Sequence, residues 1–163
     1  MPIGVAREIA RQGEVRLATL LTTAIAADLR AITFAGILGA TATVIAGATL
    51  AHWTSSGPRL QLVLCGGVVA LMLFIAMALA IWTGRAANFK YPGGNPDSLR
   101  EWAWDGEGWR DEIQLLDATG ARYEESINRN AWFLIKNGRI FNAAMYVSSA
   151  ALPLGLVAFF LAS

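Results

Sequence analysis

The residue types best suited to chemistry in this chain are tryptophans and carboxylates, which crowd together between residues 100 and 112. The tryptophans are Trp102, Trp104 and Trp109. The carboxylates interleaved with them are Glu101, Asp105, Glu107, Asp111 and Glu112. Aromatic rings beside carboxylates suit a cationic ligand, and grouped carboxylates suit a divalent cation. The acids lack the ligand spacing of a calcium loop, so we expect solvated acids and tryptophans that dock this segment on a helix or on the lipid interface.

Other candidate chemistry is weaker. The one histidine, His52, has no cysteine or carboxylate near it in sequence, which disfavours a metal site or a general base there. The glycine pairs Gly66-Gly67 and Gly93-Gly94 lie outside any phosphate-loop or dinucleotide-binding pattern. The sequence therefore predicts a chain that is not an enzyme and that uses no cofactor or metal.

Three apolar stretches are the elements that must position these residues. Residues 31–53, 60–82 and 143–162 contain no aspartate, glutamate, lysine or arginine. At a rise of about 1.5 Å per residue, each is long enough to cross a hydrocarbon core of about 30 Å as one helix. A composition of 55% hydrophobic and 15% charged residues agrees with this interpretation. We predict an all-α polytopic membrane protein with three transmembrane helices.

The positions of the basic residues predict its orientation. Of 13 lysines and arginines, only Arg59 lies in the short connection 54–59 between the first two stretches. The positive-inside rule therefore places residues 1–30 and 83–142 in the cytoplasm, with the connection 54–59 and the C-terminus outside. Small size and short loops lead us to expect the bacterial inner membrane.

Two cytoplasmic helices are predicted from three- and four-residue spacing. Before the first span, within residues 1–30, an amphipathic stripe runs continuously into the span through Ile9, Gly13, Leu17, Leu20, Ala24 and Ala27. Within residues 83–142, a similar stripe follows a loop rich in proline and glycine, through Ile113, Leu116, Gly120, Tyr123, Ile127, Ala131 and Leu134. Both helices run toward the membrane, so we expect a parallel, coiled-coil-like extension. The alternative is an N-terminal helix lying flat on the lipid surface.

Small residues predict how the spans associate. The first span has one small stripe at Gly36, Ala40, Thr43 and Gly47, and a second beside it at Ala35, Gly39, Ala42 and Ala46. The second span has Gly66, Gly67 and Ala70. Small residues let helix backbones approach closely in lipid. We expect one stripe to pack on the second span and the other on another copy; the alternative is a monomer that uses both stripes internally.

Asp28 and Arg30 lie at the cytoplasmic mouth of the first span. In a ring of copies, Asp28 would form a collar that attracts cations, next to a narrow wall of Thr33, Ala40 and Thr43. The resulting hypothesis is a homo-oligomeric pore or ion channel gated through its cytoplasmic helices. The alternative for these two charges is an ion pair at the membrane interface.

A second hypothesis is a non-catalytic accessory or scaffold subunit of a larger membrane complex. Its support is the set of tryptophans suited to docking, among which Trp53 and Trp82 are expected at opposite membrane interfaces. The expected partners are the lipid bilayer and either further copies of the chain or other membrane subunits. Nucleic acid is disfavoured, because the net charge is +1 and no basic run exists.

Overall fold

The computed structural model describes residues 2–55, 57–84, 89–92 and 111–162, which contain three helices and no strand. Helix α1 spans Ile3–Trp53, α2 spans Leu60–Thr83 and α3 spans Glu112–Leu161. The prediction of an all-helical chain is therefore confirmed. All three helices are long and apolar enough to cross a membrane. The tryptophans at 102, 104 and 109 lie outside the described residues.

Helix α1 contains both the predicted amphipathic segment and the first apolar stretch without interruption. Its threonine hydroxyls donate to the backbone carbonyl four residues earlier, so these polar groups are satisfied inside the helix. The threonines that do so are Thr19, Thr22, Thr23, Thr33, Thr41, Thr43 and Thr49. A helix with its polar groups satisfied in this way is suited to an apolar environment.

Contacts divide the chain into two units. One unit, here called the two-helix unit, consists of Met1–Ala26 and Ala86–Ile135. The other, here called the three-helix unit, consists of Ala27–Arg85 and Lys136–Ser163. The first therefore holds the N-terminal half of α1 and the first half of α3, and the second holds the three apolar stretches.

The seam of the two-helix unit joins two helices that run in parallel. A Cβ added to Gly120 would lie 3.2 Å from Ile9 Cγ2, and one added to Gly13 would lie 3.0 Å from Tyr123 Cβ. The contact partners thus advance in the same direction along both helices. Leu17 and Ile127 are buried beside them. Of the predicted seam positions, Leu17, Ala24 and Ile127 are buried, whereas Ile9 is 48% exposed and Ala27 is exposed.

A further departure from the predicted spacing follows Ile127. The spacing predicts Ala131 in the seam, but Asn130 is the fully buried residue and Ala131 is only half-buried. The physical reason is a hydrogen-bonded partner for the Asn130 amide, the backbone of Lys90. A buried polar side chain is tolerated when its hydrogen bonds are made.

The core of the three-helix unit is built largely from alanine. Its larger cluster consists of Leu38, Ala42, Val69, Leu73, Ala76 and Ala151, and a smaller one of Ala35, Ala80 and Ala144. Phe34 of α1 and Phe141 of α3 meet edge to face with ring centroids 5.5 Å apart. Small side chains at the crossings allow close helix contact, which is the packing expected of helices in lipid.

Candidate functional site

The two small stripes of α1 have different surroundings. Ala35 and Ala42 are buried in the core of the three-helix unit. Gly36, Ala40, Thr43 and Gly47, here called the outer stripe, are all exposed. A Cβ built on Gly36 or on Gly47 would meet nothing within 4 Å. One stripe is therefore covered by the chain itself, and the outer stripe is not covered within the described residues.

The glycines predicted to mediate helix packing also differ in the space around their Cβ positions. A Cβ on Gly39 would lie 2.8 Å from Met77 Sδ, and one on Gly66 would overlap the Thr49 side chain. Both glycines therefore sit where α1 and α2 approach closely. Gly67, next to Gly66, has open space at its Cβ position.

Two apolar grooves lie between α1 and α2. One, of about 460 Å³, is lined by Gly36 and Gly39 of α1 and by Met77 and Ile81 of α2, among others. The other, of about 490 Å³, is lined by Trp53 and Gly67 and their neighbours. Trp53 and Trp82 are largely exposed, at 55% and 60%. Exposed aromatic rings at helix ends suit a membrane interface.

Asp28 lies on a different side of α1 from the outer stripe. It is half-buried, and its backbone carbonyl would lie 3.8 Å from a Cβ on Gly84, at the end of α2. At 3.6 residues per turn, its direction is about 90° from the centre of the outer stripe. The structure therefore does not bring Asp28 onto the face that carries Thr33 and Ala40.

The charges at this end of the first apolar stretch have no partner within the described part of the chain. Neither Asp28 nor Arg30 makes an ion pair or side-chain hydrogen bond there. Partial burial raises the pKa of the Asp28 carboxyl, because desolvation disfavours its charged form. Arg30 is exposed.

The hydroxyl groups of the threonines assigned to a pore wall donate to backbone carbonyls of α1. Thr33 donates to Leu29 O at 2.9 Å and Thr43 to Gly39 O at 2.8 Å. Each hydroxyl oxygen keeps its acceptor capacity, and both side chains are exposed. This side of α1 is therefore small and only weakly polar.

Two asparagines form structural hydrogen bonds that are not predicted from the sequence. The Asn137 side-chain amide donates to Thr83 O at 3.2 Å, a carbonyl at the C-terminus of α2 that has no helical partner. Asn130 pairs with both backbone groups of Lys90. A signal existed, because Tyr123, Asn130 and Asn137 are spaced seven residues apart and so occupy one position of a heptad.

His52 has a structural hydrogen bond. Its Nε2 accepts from the Arg59 backbone N–H at 3.0 Å, across the connection between α1 and α2. Arg59 is the residue that precedes α2, and no side chain caps this helix. The imidazole therefore closes the short hairpin loop.

Charged pairs also order the start of the two-helix unit. Arg7 and Glu112 form a 2.7 Å salt bridge that joins α1 to the beginning of α3. On α1, hydrogen bonds from Arg11 and then from Gln12 lower the pKa of Glu8 to about 2. Both groups of charges are exposed, so water screens them.

Comparison with protein-family models, with curated proteins and with solved structures gives no match for this chain.

Proposed function

We propose that this chain is a homo-oligomeric integral membrane protein whose copies associate through the outer stripe of α1. The observation that carries the proposal is the open space above Gly36 and Gly47 on a helix whose other small stripe is filled. Glycine lowers helix stability by about 1 kcal/mol relative to alanine. Close approach of another helix is the physical use of such residues in lipid.

The proposed assembly encloses an ion-conducting pore with Asp28 at its cytoplasmic mouth. In support, the Asp28 carboxylate is half-buried and has no partner in the described residues. Repeated around an axis, it would attract cations. Since Asp28 and the outer stripe point in different directions, the collar and the contact between copies use different sides of α1.

The proposed orientation follows the basic residues, with the two-helix unit in the cytoplasm and the connection 54–59 outside. The proposed location is the bacterial inner membrane. Gating through the two-helix unit is supported by the run of α1, since Ile3–Trp53 is one helix that extends from this unit into the first apolar stretch. A shift of α1 in the cytoplasm would then reach the span without an intervening loop.

The second candidate is an accessory subunit of a larger membrane complex. It is favoured by large apolar side chains along the last part of α3, where Leu152 is 70% exposed and Phe160 is 71% exposed. In contrast to the outer stripe, these side chains are bulky and suit contact with lipid or with a different membrane protein.

Native mass spectrometry of the protein in nanodiscs separates these candidates. A ring of roughly four or more identical copies, as a helix-lined pore requires, would support the first proposal. A monomer would contradict it, and a defined complex with other chains would favour the accessory subunit.

A matched pair of substitutions tests the contact surface. Ala40 and Ala48 are both exposed on α1, but only Ala40 belongs to the outer stripe. We expect Ala40→Leu to reduce the number of copies and Ala48→Leu to leave it unchanged. Equal effects of the two variants would contradict the assigned surface.

Conductance in planar bilayers tests the pore. The proposal expects Asp28→Asn to lower cation conductance, because the collar loses its charge. Unchanged conductance and selectivity would remove Asp28 from this role.

A further inference from the structure

A groove of about 640 Å³ runs along one side of the two-helix unit. Gly13 of α1 and Gly120 of α3 line it, at positions where these two helices approach closely. Its α1 side also carries Arg16, and its α3 side carries Asp117 and Glu124. One wall is therefore basic and the other acidic.

Three charges of these walls are unpaired within the described part of the chain. Arg16, Asp117 and Glu124 make no ion pair or side-chain hydrogen bond there. Arg11 also lines the α1 wall but pairs with Glu8, and Arg7 outside the groove pairs with Glu112. The groove thus presents opposite charges that their own chain leaves available.

The parallel register determines which charges are at the same height. Because Gly13 contacts Tyr123, Arg16 lies about one turn further along, at the level of residues 124–128. A two-fold axis parallel to the helices keeps every copy in the same orientation. Such an axis brings α1 of one copy beside α3 of the other at equal heights, so that each basic wall faces an acidic wall.

We propose that this groove binds the same groove of a second copy, giving a parallel four-helix arrangement in which Arg16 pairs with Glu124 of the other copy. The inference rests on the proposed homo-oligomer and identifies a contact that joins its copies in pairs, so an even number of copies is expected. Charge complementarity selects this occupant, because a uniformly anionic or cationic ligand would be repelled by one of the two walls.

The test uses the full-length protein in nanodiscs with Cys65 replaced by serine. Chains carrying Gln12→Cys and chains carrying Ala121→Cys, distinguished by tags, are mixed and oxidised. Both positions line the groove, on opposite walls. We expect a disulfide-linked dimer that contains one chain of each kind, whereas absence of this dimer would overturn the proposal.

Charge reversal makes the test specific. We expect Arg16→Glu alone, or Glu124→Arg alone, to reduce the mixed dimer by about tenfold, because like charges then face each other across the contact. The double variant restores the pairing with its polarity inverted and should recover the dimer. Failure of the double variant to recover it would overturn the proposed pairing.

Glu125→Arg and Arg129→Glu are matched controls. Both residues are exposed on α3 beside the groove residues but do not line the groove, so their reversal should leave the yield unchanged. Native mass spectrometry of the same samples separates the two proposals. Oligomers without the mixed dimer would overturn the groove contact alone, and a monomeric protein would overturn both.

Discussion

The side-chain amide of Asn130 pairs with both backbone groups of Lys90. Its Nδ2 donates to the Lys90 carbonyl at 2.9 Å and its Oδ1 accepts from the Lys90 N–H at 3.1 Å. Asn130 is fully buried. Phe89, next to Lys90 in sequence, has its ring centroid 6.3 Å from that of Phe133 on α3. The pairing therefore fixes the position of Lys90 along the axis of α3, at the level of Asn130.

Replacing Asn130 by alanine should destabilise the two-helix unit by about 1–3 kcal/mol, because both backbone groups of Lys90 lose their partner. Thermal unfolding in detergent measures the change. Asn142→Ala is the control, since Asn142 is exposed on the same helix and makes no side-chain hydrogen bond in the described residues. Equal stability of the two variants would show that the paired amide contributes nothing.

Gly66 and Gly67 should differ sharply when changed to alanine. A Cβ at Gly66 would overlap the Thr49 side chain, which its 2.7 Å hydrogen bond to Ile45 O holds in place. We expect Gly66→Ala to destabilise the α1–α2 contact by about 1–3 kcal/mol. Gly67→Ala meets open space and should be neutral or slightly stabilising, because alanine favours the helix. Thermal unfolding of both variants checks the difference, and a reversed order would contradict the packing described.

Replacing His52 by phenylalanine should loosen the hairpin loop, because the ring is kept while the acceptor for the Arg59 N–H is lost. A neutral hydrogen bond contributes about 1 kcal/mol, so exchange of the Arg59 amide with solvent should accelerate by about fivefold. Hydrogen–deuterium exchange measures it, with Trp53→Phe as the control. Undiminished protection in the His52 variant would show that another group secures this amide.

The Glu8 carboxyl should titrate at a pH of about 2 rather than near 4.5, since Arg11 and Gln12 donate to its charged form. Its folded-state pKa is depressed, so any stabilisation is present above the unfolded pKa and is lost as the pH falls through about 2. Carbon NMR of the labelled side chain gives the titration.

Arg11→Gln should raise this Glu8 pKa toward its ordinary value. Arg7→Gln should not, because Arg7 pairs with Glu112 instead. A Glu8 titration that is the same in wild type and in Arg11→Gln would contradict the assigned cause.

Acidification should reduce cation conductance through the proposed pore. Burial raises the pKa of Asp28, so its charge is lost at a higher pH than that of an exposed aspartate. Conductance should fall as the cytoplasmic pH approaches this raised pKa from above. The conductance of the Asp28→Asn variant should be low and insensitive to pH, whereas that of Glu14→Gln should keep the wild-type dependence on pH. A pH response that survives in Asp28→Asn would assign it to another group.

Hydropathy and residue spacing are sufficient to predict the helices and part of the two-helix seam. Apolar runs without charges define segments that bury no unpaired charge in lipid, and this holds whatever their neighbours are. Three- and four-residue spacing likewise places Gly13, Leu17, Tyr123 and Ile127 on one face of their helices, because it follows from helix geometry alone.

The choice between neighbouring candidates for a buried position depends on contacts that no local pattern contains. Asn130, rather than Ala131, is fully buried, where it pairs with the backbone of Lys90. Lys90 lies 40 residues away in sequence, so no local pattern reveals this partner. The two small stripes of α1 are equally suited to close packing, and only the positions of α2 and α3 determine that Ala42 is buried while Gly36 is exposed. The side of a helix that becomes covered depends on contacts between segments distant in sequence, so composition and spacing do not determine it.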